Sequence, residues 1–330
     1  MLMRAMALVR SAAGRVEPVD IDLPPPGPDQ VLVAIAACGV CRTDLHVIDG
    51  ELPGTHIPVI PGHEIVGRVR AVGSRVQGLA VGARVGIGWL AEVCGECEYC
   101  RSSRENLCRT ARFTGHHVNG GYAEFAVANP RACAELPDSY DDLHVAPLLC
   151  AGVIGYRALR LVGESRTLGI YGFGAAAHLV AQIARRQGRD VFAFVRPGDE
   201  AAKRFAHELG VSWAGWSDQA PPVELDGALI FAPVGALVPE ALSRVAPDAR
   251  IVCAGIHMSD IPSFPYQLLW GERKVQSVAN LTRDDTTQFL RLAATMTLRT
   301  WVQPYALADA NAALDDLRSG ALTGAAVLRP

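Results

Sequence analysis

Residues 167–171, Thr-Leu-Gly-Ile-Tyr, form an apolar run that meets Gly172-Phe173-Gly174-Ala175-Ala176-Ala177 and then a helical stretch reaching Gln187. A strand that turns on two glycines into a helix constrains the fold more than any other segment of the chain. The first glycine allows the tight turn, and the second lets a pyrophosphate approach the backbone at the helix N-terminus. Ala177 stands where a third glycine is usual. The plain alternative is a tight connection with no ligand, and the surroundings argue against it. From about Gly152, short apolar runs alternate with helical stretches at 168–171, 175–187, 191–195, 200–209, 225–231, 238–245, 250–254, 275–278 and 285–298. That alternation predicts βαβ units, hence an α/β fold with a doubly wound parallel sheet of the Rossmann dinucleotide-binding type.

The first 150 residues read differently. Runs at 31–37, 64–72 and 83–87 are separated by turn formers, which predicts a mostly-β domain. With 330 residues, the chain exceeds what one hydrophobic core usually supports. The expected division is 1–150 and 151–298, with 299–330 returning to the first domain through a helix at 308–317, a stop at Ser319-Gly320 and a closing strand at 325–328. The balance of 31 Lys+Arg against 34 Asp+Glu leaves no basic field for a nucleic-acid backbone. No apolar run is long enough to span a membrane, and the apolar start is broken by Arg4 and closed by Arg10, so a cytoplasmic protein is expected. In that compartment the nine cysteines are read as metal ligands or reactive groups before disulfides.

Cys94, Cys97, Cys100 and Cys108 follow C-x2-C-x2-C-x7-C within one loop. Four thiolates in a compact loop match the closed tetrahedral shell of a structural zinc; reduced surface thiols or two disulfides are the competing readings. A looser group comprises Cys41, His63-Glu64 and Cys150. Individually, Cys41 could pair with Cys38 as a redox C-x-x-C, His63 could be a turn histidine and Cys150 a core thiol. Two cysteines and one histidine also form an open zinc shell with a vacant fourth position.

The string Cys41-Arg42-Thr43-Asp44-Leu45-His46, the triplet Gly62-His63-Glu64, the four-cysteine loop and Cys150 together resemble the zinc-dependent medium-chain alcohol dehydrogenase family, over essentially the whole chain. The resemblance implies a GroES-like catalytic domain beside the Rossmann domain, and two zinc ions per chain. It implies that Cys41, His63 and Cys150 hold the catalytic zinc, with Glu64 just behind it and Asp44 orienting His63. Thr43 would meet the substrate oxygen and His46 would carry the proton outward. Trp89 and Leu90 would shape an apolar pocket favouring primary alcohols or aldehydes, with Leu52, His56 and Phe113 as weaker candidates. His116, His117, Cys38, Cys133 and Cys253 read as loop histidines and buried thiols.

The cofactor is expected to be NAD(P), bound through Gly172, Gly174, Ala175 and Ala177. Where an acid would bind the ribose 2′-OH, the chain has Arg196, which leans towards NADP; the alternatives are a solvated Arg196 and a ribose held by Asp199. Arg283 is expected to reach the pyrophosphate. The partners implied are a small alcohol or aldehyde and further copies of the chain, as a dimer or tetramer. Two other functions are compatible with parts of this pattern. A polyol or threonine dehydrogenase of the same family should have a more polar pocket, and a non-catalytic NAD(P)-binding zinc protein should have lost a ligand or the relay.

Overall fold

The structure is a computed structural model that describes residues 2–23 and 25–330. The chain forms two compact units, Met1–Val153 with Asn280–Pro330, and Ile154–Ala279.

In the second unit six parallel strands lie in the order Trp213–Trp216, Asp190–Val195, Thr167–Tyr171, Leu225–Ile230, Val245–Cys253 and Lys274–Ser277. Numbered along the chain this is 3-2-1-4-5-6, the doubly wound order of dinucleotide-binding domains. The strands are continuously apolar because both faces are covered. Every residue from Val191 to Val195 is buried, as expected of a parallel sheet flanked by helices. Tyr171 stacks on Phe194 at 4.1 Å in a core with Leu225, Ile230, Val238 and Ile251.

The first unit centres on the strand Val31–Val40. It pairs antiparallel with Glu64–Val72 on one side and with both Phe125–Ala128 and the closing strand Ala325–Arg329 elsewhere along its length. Val302–Ala306 extends this sheet on one side, and Arg84–Ile87 and Cys133–Glu135 on the other. A separate hairpin joins Leu2–Ala7 to Glu17–Asp22. Among the described residues no single helix is long and apolar enough to cross a membrane.

The return to the first unit comes at Asn280 rather than at 299, so the helix Arg283–Met296 belongs with the first unit. Packing accounts for this. Phe289 on that helix is fully buried and fills the space where a Cβ on Gly152 would sit, and Tyr140 donates its hydroxyl to the Ala293 carbonyl.

Candidate functional site

The strand Val31–Val40 ends at Cys41, which caps the helix Arg42–Ile48. The strand Glu64–Val72 begins directly after His63, and Cys150 closes the short 3-10 turn Ala146–Leu149. These three chain positions converge. Cys41 Sγ lies 3.7 Å from Cys150 Sγ, and Cys150 Sγ lies 3.3 Å from His63 Nε2. A Glu64 carboxylate oxygen completes a set of four ligand atoms all within 4.8 Å of one another.

Asp44 organises the cluster. It is 1% exposed, and its carboxylate accepts from the backbone N–H groups of Cys41 (2.8 Å) and Gly62 (3.2 Å), from His63 Nδ1 (3.0 Å) and from the Tyr122 hydroxyl (3.1 Å). Four donors compensate a carboxylate removed from water. With its Nδ1 proton committed to Asp44, His63 is left with Nε2 as a free ligand atom.

Cys41 is held well below the usual thiol range, chiefly by the hydrogen bond from Cys150, while that same bond and burial push Cys150 well above it. Two thiolates buried 3.7 Å apart repel each other, and a cation between them would offset that repulsion. Burial likewise raises Glu64 well above the carboxylate range. A tetrahedral zinc about 2.3 Å from each thiolate sets the sulfurs about 3.8 Å apart, so the Cys41–Cys150 spacing suits that ion.

The four-cysteine loop shows the same spacing. Cys94 Sγ is 3.8 Å from Cys100 Sγ and 3.6 Å from Cys108 Sγ, and all four sulfurs lie within 4.8 Å. All nine cysteines are free thiols, so neither disulfides nor a Cys38–Cys41 pair is formed. Cys38 is buried with its thiol on the Gly39 carbonyl, and Cys133 and Cys253 are buried or half-buried thiols.

Thr43 and His46 lie on the helix that Cys41 caps, Thr43 with its hydroxyl 3.7 Å from Cys41 Sγ. Trp89 is buried with its ring edge-on to His63 at 4.9 Å and stacked on Phe113 at 5.0 Å, and its Nε1 donates to Asn280. Leu90 is buried in the hairpin that pairs it with Phe113. His56 is exposed and Leu52 half-buried. His116 departs from the expected loop histidine. It is buried against Trp89 at 5.9 Å, neither ring nitrogen has a hydrogen-bond partner, and burial pulls its pKa down to about 4. His117 Nδ1 accepts from the Phe113 N–H.

In the second unit Gly172 adopts φ +84° and a Cβ there would lie 2.8 Å from Ala232, so only glycine fits the turn. Gly174 caps the helix Ala175–Arg186 and faces open space, leaving room for a phosphate at the helix N-terminus. Ala177 is fully buried, as close helix packing requires. Arg196 is exposed at the end of Asp190–Val195, and Asp199 is engaged as the cap of Glu200–Glu208 through Ala202 N–H. Arg283, expected at the pyrophosphate, is found as the first residue of Arg283–Met296 in the first unit. Its backbone N–H donates to Glu105, and burial lowers the pKa of its half-buried side chain.

The alcohol dehydrogenase GroES-like domain family matches residues 27–138. A protein of Mycobacterium tuberculosis (strain CDC 1551 / Oshkosh) named "Probable alcohol dehydrogenase AdhA" is 45% identical over 323 residues, 96% of this chain and 93% of that one. An alcohol dehydrogenase of Geobacillus stearothermophilus is 34% identical over 334 residues, 98% of each chain. Among solved structures, a cinnamyl alcohol dehydrogenase of Sorghum bicolor is similar with a TM-score of 0.89 at 26% identity, over 100% of this chain and 98% of that one.

Proposed function

The chain belongs to the zinc-dependent medium-chain alcohol dehydrogenases, and from that premise we propose that it interconverts primary alcohols and aldehydes using a catalytic zinc on Cys41, His63 and Cys150 and a nicotinamide cofactor on the Gly172–Ala177 turn. The observation that carries this reading is the cluster itself: two cysteine sulfurs 3.7 Å apart, a histidine oriented by a buried aspartate, and spacings that suit a tetrahedral ion. When bound, the zinc supplies Lewis acidity that lowers the alcohol's pKa, and the nicotinamide supplies the hydride acceptor.

The protein's own residues do the rest. Asp44 and Tyr122 fix the direction of His63. The Thr43 hydroxyl would take the proton released by the alcohol, and His46 would be the outer relay group that returns it to solvent, the path between them running by way of the cofactor ribose. Glu64 would lie just behind the metal, its carboxylate buried beside the three ligands. Trp89 packs against His63 and offers an apolar wall to an alkyl or aryl tail, with Leu90 behind it. Cys94, Cys97, Cys100 and Cys108 hold a second, structural zinc. Steady-state assays with primary alcohols, aldehydes and polyols, each with both nicotinamides, test the reading: turnover of primary alcohols above polyols supports it, and no alcohol-dependent cofactor reduction removes it.

Arg196 gives the cofactor seat a lean towards NADP, since a guanidinium binds a 2′-phosphate bidentately and Asp199 is occupied as a helix cap. Arg196→Asp should shift the NADPH-to-NADH ratio of kcat/KM by about ten-fold towards NADH, exposure keeping the effect modest. A wild-type preference for NADH left unchanged by the substitution would place the arginine in solvent. We also assign the protein to a homo-oligomer, because the edge strand Lys274–Ser277 is accompanied by Tyr266 and Trp270, each about two-thirds exposed. Light scattering of the purified protein should give a dimer or tetramer mass, and a monomer mass would contradict it.

A further inference from the structure

The helix that begins at Cys41 ends in a turn that folds Glu51 back over His46. Asp49 is its last cap, and Gly50 takes φ +78°, where a Cβ would also press on Ala12 at 3.0 Å. The Gly50 N–H donates to the Val47 carbonyl and the Glu51 N–H to the His46 carbonyl at 2.9 Å, the paired bonds of a Schellman motif. Asp49 is tied down in turn by Arg318 at 2.9 Å. The result is that Glu51 contacts His46 twice: its N–H closes the helix on the His46 carbonyl, and its carboxylate meets His46 Nδ1.

We infer that Glu51 is a positioning residue for the proton path: its carboxylate holds the Nδ1–H of His46 and leaves Nε2 as the proton acceptor. A nitrogen facing a carboxylate is the donor, so the contact selects one of the two neutral tautomers and one ring orientation. When a proton released from the alcohol reaches Nε2, the ring becomes an imidazolium whose charge the carboxylate offsets, and solvent then removes the proton. The Glu51 side chain is 44% exposed, so it stands where the path meets water. The helix is closed by the Glu51 N–H, so the melting temperature of each variant reads any structural cost of changing the side chain. The inference rests on His46 acting as the relay.

The test is a double-mutant cycle on the zinc-loaded enzyme, with melting temperature and metal content checked for each variant. Glu51→Leu should lower kcat by about ten-fold with KM for alcohol and nicotinamide unchanged within about two-fold. Glu51→Gln, whose amide oxygen still accepts from Nδ1, should recover to within about three-fold of wild type. In a His46→Gln background, Glu51→Leu should cost less than about two-fold, because the group it positions is gone. Glu51→Leu at wild-type kcat, or the same loss in both backgrounds, overturns the inference while leaving the relay in place. His46→Gln at full kcat overturns the relay itself, and the inference with it.

Discussion

Cys150→Ala is expected to abolish alcohol oxidation, lowering kcat by at least about a thousand-fold, because Lewis-acid activation supplies several kcal/mol of barrier lowering at roughly ten-fold per 1.4 kcal/mol. Nicotinamide binding, followed by fluorescence quenching, should remain within a few-fold of wild type, since the Gly172–Ala177 turn is built from a different part of the chain. Removing Cys150 also removes the sulfur that Cys41 Sγ and His63 Nε2 both contact. Cys150→Ser, which keeps the volume but is a poorer zinc ligand, should fold as wild type and remain nearly inactive. Turnover within ten-fold of wild type in either variant would remove Cys150 from the metal shell.

The second large effect concerns the four-cysteine loop. The helix Glu98–Arg101 buries no residue, and the loop's burial is confined to Glu105, Asn106 and Cys108. So little apolar burial cannot order fifteen residues against backbone entropy of about 1–2 kcal/mol each, so the metal must supply the difference. Cys97→Ser should therefore lose one equivalent of zinc and lower the melting temperature by on the order of 10 °C, while the folded fraction keeps most of its kcat. Differential scanning calorimetry beside metal analysis reads both. Unchanged zinc content and melting temperature would show the cysteines to be ordinary thiols.

Much of this was legible in the chain, for reasons that differ from residue to residue. The strand expected at 64–72 is found as Glu64–Val72, because its apolar run ends sharply at turn formers. The glycine turn declared the parallel sheet because its φ requirement admits no other residue. The two cysteine and histidine clusters were readable as residue types at family spacings. What holds them was not. Tyr122 reaches Asp44 across 78 positions of sequence, a contact set only by the register of the sheet. Glu51 meets His46 through a turn that Gly50 closes at φ +78°, a contact no residue spacing announces. The helix Ala151–Val162 was missed because Gly152 and Gly155 look like breakers, whereas they make room for Phe289 and Val180. His116 looked like a loop residue because stacking on Trp89 leaves no local pattern. Arg283 begins a helix that packs in the first unit, and its backbone N–H meets Glu105, a contact its charge alone did not announce.

The central claim is that turnover depends on zinc at Cys41, His63 and Cys150, distinct from a second zinc held by four thiolates. Graded chelation tests it most directly, with bound zinc and alcohol-dependent nicotinamide reduction measured on the same samples. The native enzyme should carry about two equivalents. Activity should fall to zero as the equivalent in the open three-ligand shell is lost, whether or not the four-thiolate equivalent is retained. Full activity in protein stripped of both ions, or activity that follows only the loss of the four-cysteine ion, would contradict the account.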